Sequence, residues 1–497
     1  MVKKFMPEEP VSKKTMMRGA VLISPDGRYG QVDASTYRDR AVEYGVAGPI
    51  MAYLDHIFSG HEKEDEKQAD RFSANFTTMA RQRRIIDQDT AVAGHFFFLP
   101  KGKFISDLLM DYVDRVSGRH GYKKMDIPLV FRREGSKATT DLTEKFMTGG
   151  GGPNGERMVG LTSGTYFRYA GDPVLFPWVA AKSPLTERDL PMRLYTPGVT
   201  LRHELGGELR GLERSVAFTL TDYHAFADPK KDLVEYLNVH AMNSEVMRML
   251  CGDGWFLNLD VVEEFFNGNT ETIVEAVKRA GVPAVAKLME ARTHYYSIQN
   301  QYRVSLSDGS STQVANLQFD RVNGESFGVR VRREDGTAGH ATIIHGAQYG
   351  RVEKVLTYLM DRAAADTKAG RPPSFPFWLS PTQVRLIGIK PEHSDYVVNN
   401  LLPRLRGAGI RVDYDNRKNK DFRKRVGNAE EDWVPYVLVV GDNEVSSGGL
   451  KVRDRKTGQV TDKNVDEFVK MLQDEQNGMP FRPLPCEEDV SKRSLMF

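Results

Sequence analysis

The segment Arg371-Pro372-Pro373-Ser374-Phe375-Pro376 divides the chain into two stretches whose patterns call for different folds. Its prolines hold the backbone in an extended, semi-rigid spacer and remove the donors that strand pairing needs. Behind it, Val384–Ile389, Ile410–Tyr414 and Tyr436–Val440 are short apolar runs separated by helical segments. Leu450–Val452 and a helix near Val465–Leu472 follow. This alternation predicts an α/β unit, βαβαβ on a mostly parallel sheet, over residues 373–480, with 481–497 as an unstructured tail.

Ahead of the prolines the texture differs. Phe104–Val116 repeats apolar residues at helical spacing, and Tyr122–Val130 reads as a strand in which Pro128 suits an edge or an interface. Arg193–Arg202 and Ser215–Phe226 read as two strands joined by the glycine-bearing loop 203–214. Glycines 149–152 mark a loop. Strand, long loop and antiparallel return predict an antiparallel sheet flanked by helices over residues 81–372, an α+β class. Residues 1–80 carry the charged run 60–67 and helical spacing in Tyr44–Phe58. They show no chemistry, and they read as a separate, partly helical segment of unknown role.

At about 150 residues per domain, 497 residues imply about three domains. Lys and Arg (69) nearly cancel Asp and Glu (67), a net charge of +2, so no global field selects nucleic acid or a membrane. No apolar stretch approaches the roughly 18 residues of a membrane span, and Met1–Pro7 lacks the apolar core of a secretory signal. Cys251 and Cys486 are the only cysteines, which excludes a disulfide framework and a Cys-rich metal site. A reduced, cytoplasmic, multi-domain protein is expected.

Chemistry concentrates in the hairpin. Leu201-Arg202-His203-Glu204, a glycine-rich loop, and Leu212-Glu213-Arg214 set two arginines twelve residues apart around one turn. Guanidinium forks on both arms can converge on one anion and match phosphate oxygens bidentately. Phe218 offers an aromatic face for a purine.

The segment LRHELGGELRGLERSVAFTLTDYHAF resembles motif 2 of the class II aminoacyl-tRNA synthetases, and is most similar to that of the threonyl enzymes. FFLPKGKFISDLLMDYVDRVSGRHGYKKMDIPLVF resembles their motif 1 region, with Pro128 at the dimer-interface proline. HATIIHGAQYGRVEKVLTYLMD resembles motif 3. WLSPTQVRLIGI, GAGIRVDYDNR, VPYVLVVGDNEV and LKVRDRKTG follow the anticodon-binding domain. The likeness spans about residues 80–475 and lacks the editing domain of many members.

The resemblance implies a homodimer that activates an amino acid with ATP and Mg²⁺ and transfers it to tRNA, with threonine as the favoured amino acid. It assigns Arg202 to the α-phosphate, Glu204 to the adenine amino group, Arg214 to the γ-phosphate end and Phe218 to stacking on adenine. Lys354 stands where the family has the motif 3 arginine, and Arg351 is three residues earlier on the same presumed helix. Gln313 and Gln318 fall on the two glutamines of a pocket strand. Five apart, they face opposite ways unless a bulge intervenes. Asp222, Tyr296 and Gln318 are implied at the amino acid, with Gln299 in place of a family lysine. Arg417, Glu444 and Arg453 are implied at the anticodon. The pairing of Glu444 with Arg453 across strands is the structural alternative. His224 and His345 fall on the two histidines of the family's zinc site, whose cysteine is absent. Asp172 is a candidate oxygen ligand in its place, and Zn²⁺ stays open at this stage. Two other readings keep the fold: a synthetase of altered amino-acid specificity, and a tRNA- or assembly-binding protein without catalysis.

Overall fold

The computed structural model describes residues 17–46, 48–59, 76–88, 93–148, 158–162, 164–204, 209–292, 294–418, 421–494 and 497. The charged run 60–67 and glycines 149–152 lie outside them. Contacts gather the chain into two units, one of Met1–Asp70, Arg115–Leu209 and Arg214–Val355, the other of Arg71–Asp114, Arg210–Glu213 and Leu356–Phe497. Neither boundary falls at residue 80 or 372, because shifts in composition mark linkers and carry no information on which distant strand a segment joins.

The first unit is built on a ten-stranded sheet. Its order is Tyr29–Val32, Met17–Ile23, Ala284–Met289, Trp255–Val262, Tyr296–Ser305, Ser311–Asp320, Thr342–Ala347, Asp222–Ala227, Met192–Tyr195 and Lys123–Lys124. Neighbours run antiparallel except Trp255–Val262 with Ala284–Met289 and Met192–Tyr195 with Lys123–Lys124. The first parallel pair needs a crossover, which helix Glu263–Ala280 supplies. Glu263 and Glu264 in its first turn and Lys278 and Arg279 in its last suit the helix dipole, and Gly281 at φ 69° ends it in the left-handed region.

Residues paired across antiparallel strands share a face, so the register defines rows. His224 pairs with His345, His345 with Gln318, Gln318 with Gln299, and Gln299 with Asp260. The next row is Asp222, Ala347, Asn316, Gln301 and Asn258. The opposite face carries Tyr223, Ala225, Leu317, Phe319, Ile298 and Leu259, all buried. Helix Asp232–Cys251 runs against that face and buries Tyr236, Val239, Met242 and Val246. One face of the sheet is therefore a packed core, and the middle of the other face is a polar trough.

Sequence patterning misjudged several details here. The N-terminal segment is part of this sheet: Met17–Ile23 pairs with Ala284–Met289, and helices Tyr37–Glu43 and Pro49–Ser59 bury Tyr37, Ile50, Tyr53 and Leu54 with Phe256 and Val285. Tyr122–Val130 is not one strand, since Lys123–Lys124 edges the large sheet while Val130–Arg132 joins a small one with Thr165–Phe167. Both hairpin strands are also broken. Met192–Tyr195 and Asp222–Ala227 lie in the large sheet, whereas Gly198–Leu201 and Ala217–Leu220 form a separate two-stranded arm. Pro197, which has no N–H, interrupts one strand, and Thr221, whose Oγ1 accepts the Tyr349 N–H at 2.9 Å, interrupts the other.

In the second unit a five-stranded sheet runs Val412–Tyr414, Val384–Gly388, Tyr436–Val440, Gly449–Asp454 and Val460–Asn464. The first three strands are parallel, as the βαβαβ pattern predicts, and the last two return antiparallel. The tail is not unstructured. Arg482 bonds Asp111 at 2.9 Å, Arg493 pairs with Asp413 at 2.7 Å, and the Tyr414 N–H donates to Glu488 O at 2.9 Å.

Candidate active site

The hairpin arm and the start of helix Val352–Lys368 meet at Phe218, whose ring is buried. The Arg202 guanidinium carbon lies 5.2 Å from the ring centroid and that of Arg351 3.9 Å from it. Arg202 Nε donates to Tyr169 O at 3.1 Å. Burial lowers the Arg202 pKa from its ordinary value, against the pull of Glu204 and Asp222. Glu204 is buried between two cations: Arg214 Nη2 is 2.8 Å from Oε2, and Arg351 Nη2 is 3.5 Å from Oε1. Arg351 Nη1 also reaches Ser215 O at 3.3 Å. The two hairpin arginines thus gather on one cluster of Phe218 and Glu204. Arg351 sits just ahead of the helix that sequence reading put it on.

Glu353 fixes the arm from behind. Both of its carboxylate oxygens accept the Thr219 N–H, at 3.1 and 3.2 Å. Burial pushes its carboxyl up to about 7, although Thr219 and Arg351 work the other way. Sequence reading passed over Glu353 because an acid in a first helical turn is ordinary.

The polar trough adjoins this cluster. Strand Ser311–Asp320 has a bulge: Arg303 faces Gln313, but the next residue back, Tyr302, faces Ala315, which leaves Val314 unpaired. The extra residue restores phase, so Gln313 and Gln318 share the face of Arg303, Gln301 and Gln299. The Tyr295 hydroxyl donates to Gln318 Oε1 at 3.3 Å and the Tyr296 hydroxyl to Gln299 Oε1 at 3.1 Å.

At the end of the row three buried groups meet. His224 Nε2 lies 2.8 Å from Asp172 Oδ1, His345 Nδ1 lies 3.7 Å from the same oxygen, and the imidazoles stack 5.5 Å apart at 12°. On the far side, His345 Nε2 is 3.5 Å from Asp320 Oδ2. Asp222 Oδ2 accepts the Gly171 N–H at 2.8 Å. A side chain at Gly171 would meet that oxygen at 2.7 Å, so only glycine lets the helix Asp172–Ala180 start this close. Burial raises the Asp222 pKa, helped by Asp172 and opposed by His224. Asp172 is held below the usual carboxylate range, because His345, His224 and Arg202 outweigh burial. His345 is raised, since Asp172, Asp320 and Asp222 outweigh burial. The donor set fits a cation: a tetrahedral ion with bonds of about 2.05 Å holds donors about 3.3 Å apart, and 2.8 and 3.7 Å straddle that value. Neither cysteine takes part. Asp320 had no signal in the sequence, because its role depends on strand register.

In the second unit the three anticodon candidates have separate partners. Arg417 Nε bonds Asp415 at 2.9 Å, and Arg453 pairs with Glu430 at 2.9 Å. Glu444 does not pair across strands with Arg453; it accepts the Gly441 N–H at 2.8 Å and caps its own helix, Asp442–Ser447. Arg453 also lines a cavity of about 420 Å³ with Phe422, Arg423, Glu430, Lys451 and Val460. Pro128 is exposed beside exposed Leu129 and Val130. Arg168 straps this stretch to the hairpin arm, bonding Ile127 O at 3.2 Å and Val199 O at 3.0 Å.

A largely antiparallel sheet carrying an arginine-bearing arm against a following helix, in a chain that also carries an α/β domain, is the architecture of a class II aminoacyl-tRNA synthetase. The Anticodon binding domain family matches residues 383–475. Threonine–tRNA ligase of Nitrosopumilus maritimus is 30% identical over 464 residues, 90% of this chain and 72% of that protein. That of Methanobrevibacter smithii is 31% identical over 84% of this chain and 67% of its own length. Among solved structures, the RNA binding domain of threonyl-tRNA synthetase from Cryptosporidium parvum aligns with TM-score 0.68 at 20% identity, over 82% of this chain and 98% of that one. Prolyl-tRNA synthetase from the same organism, complexed with L-proline and AMP, aligns with TM-score 0.63 at 18% identity, over 81% of this chain and 76% of that one. The chain belongs to the threonine–tRNA ligase family of aminoacyl-tRNA synthetases. Among the described residues, no helix is long and apolar enough to cross a membrane.

Proposed function

We propose that the chain is a threonine–tRNA ligase, working as a homodimer in the cytoplasm. The observation that carries this reading is the gathering of Arg202, Arg214 and Arg351 around Phe218 and Glu204, beside a trough lined by Asp222, Gln318, His224 and His345. ATP with Mg²⁺ lies on the cluster, with its α-phosphate on Arg202 and its γ-phosphate on Arg214. Its purine stacks on Phe218 with its amino group toward Glu204, and Gln313 and Lys354 contribute from the strand and the helix. Arg351, at contact distance from Phe218, swings outward to admit the purine and covers its outer face.

Threonine lies in the trough against Asp222, Tyr296 and Gln318. Its carboxylate oxygen attacks the α-phosphorus, a new O–P bond forms, and the bond to the bridging oxygen breaks to release pyrophosphate. Protein does little covalent work in such a step. Fixed positive charge and alignment supply the rate. A ribose hydroxyl at the tRNA 3′ end then attacks the threonyl carbonyl and AMP leaves. Arg417, Glu444 and Arg453 read the anticodon, whose unstacked bases suit Arg and Glu hydrogen bonding. Exposed Pro128 and Leu129 face the second copy. A bound divalent ion such as Zn²⁺ in the trough would polarise the threonine hydroxyl. Without it, Asp222 and Gln318 select against valine through an unpaired buried group, and serine is discriminated only by a methyl, worth about 1–3 kcal/mol.

ATP–pyrophosphate exchange with threonine, serine and proline tests the reading. Exchange strongest with threonine is expected. Exchange with serine alone would replace the amino acid, and none with any would leave a tRNA-binding protein without catalysis.

A further inference from the structure

Two glutamines of the trough are each turned by a tyrosine. Gln299 and Gln318 are a cross-strand pair, and consecutive tyrosines at the entry of strand Tyr296–Ser305 reach them. The Tyr295 hydroxyl donates to Gln318 Oε1 at 3.3 Å, and the Tyr296 hydroxyl donates to Gln299 Oε1 at 3.1 Å. Three residues apart on a regular strand, Tyr296 and Gln299 would face opposite ways. Tyr296 faces Asp320, but Ile298 faces the adjacent Phe319, and this bulge at Ser297 brings Tyr296 and Gln299 to the trough together. The Tyr295 ring is held independently of its hydroxyl: it stacks on His345 at 5.5 Å and 24°, and it meets the Tyr296 ring edge-on at 5.8 Å.

Engaging an amide by its oxygen leaves the nitrogen end, which has two N–H donors and no acceptor. Among the described residues, neither Gln318 Nε2 nor Gln299 Nε2 has a hydrogen-bond partner. With the Gln318 amide reversed, the Tyr295 hydroxyl proton would lose its acceptor, so the hydroxyl selects the orientation. Asp222 gives the trough the opposite polarity, a buried carboxylate that already accepts the Gly171 N–H. A hydroxyl group is satisfied in full only between a donor and an acceptor. Charged oxygens are better matched by the guanidinium of Arg202, whereas a neutral amide donor suits a neutral oxygen.

We propose that Tyr295 is a positioning residue that sets side-chain selection: its hydroxyl holds Gln318 with the N–H donors toward the trough, where they meet the hydroxyl oxygen of a β-hydroxy amino acid whose proton goes to Asp222. The inference rests on the reading of the trough as an amino-acid pocket. Its test uses equilibrium binding without ATP or tRNA, so absence of pyrophosphate exchange would leave it standing, and its own failure would leave exchange standing.

The test is calorimetric titration of the full chain with L-threonine and with L-2-aminobutyrate, which has hydrogen in place of the hydroxyl. Wild type is expected to prefer threonine by about tenfold or more. Tyr295→Phe keeps the ring and its stacking, and is expected to weaken threonine by about three- to tenfold while leaving aminobutyrate unchanged. Gln318→Ala is expected to lose as much or more for threonine, and Tyr295→Phe added to it should cost nothing further, because the hydroxyl acts only through that amide. No preference for threonine in wild type would overturn the proposal. So would a Tyr295→Phe protein that binds threonine like wild type, equal weakening of both ligands, or a Tyr295→Phe effect that persists in the Gln318→Ala background.

Discussion

Glu353→Gln isolates the buried acid that fastens the hairpin arm to the helix behind it. In the folded chain burial lifts Glu353 from the ordinary 4.5 to about 7. At about 1.4 kcal/mol per tenfold change in protonation, that difference amounts to about 3 kcal/mol. Between those two values the native state keeps a proton that the unfolded chain has released. Stability therefore falls as pH rises through the window, and the loss is complete above about 7. Glutamine cannot ionise, and its amide oxygen still accepts the Thr219 N–H. Urea unfolding of both proteins, repeated from pH 5 to pH 8, gives the difference directly, because every other titrating group cancels. Near pH 5 the variant is expected within about 1 kcal/mol of wild type, the worth of a lost hydrogen bond. By pH 8 it should have gained about 2–3 kcal/mol relative to wild type. A difference constant across that range would refute the assignment of the buried carboxyl as an unfavourable charge.

Arg202→Ala is expected to lower the exchange rate by about a hundredfold or more, since one preorganised charge on the reacting phosphate is removed; unaltered turnover would take the hairpin out of the mechanism. Arg351→Ala should raise the KM for ATP about tenfold in the same assay, from the loss of a cation over the purine, and an unchanged KM would assign that face to Lys354. Arg453→Ala should weaken tRNA in aminoacylation assays while leaving pyrophosphate exchange intact. Unchanged aminoacylation kinetics would take Arg453 out of tRNA recognition.

What could be read from the chain in advance was what is local. Arg202, Arg214 and Phe218 sit on two arms of one turn, so a spacing of twelve carried most of their geometry. The first three strands of the second unit announced themselves by apolar runs between helical segments. What stayed hidden depends on pairing between distant strands. Met17–Ile23 looks like any short apolar run until Ala284–Met289 is beside it. Asp320 matters only because register sets it behind His345. Arg351 reaches Phe218 across more than a hundred residues of sequence, and no periodicity encodes that approach. Glu444 and Arg453 illustrate the converse error: a plausible ion pair drawn from charge alone gave way to a helix cap and to Glu430.

The unpaired Val314 has a consequence for anyone comparing or engineering chains of this kind. Deleting that one residue would keep every polar side chain of the strand yet rotate Gln313 towards the helix-covered side, burying its amide in an apolar layer. An alignment gap placed there would look harmless and would mean the loss of Gln313 from the trough.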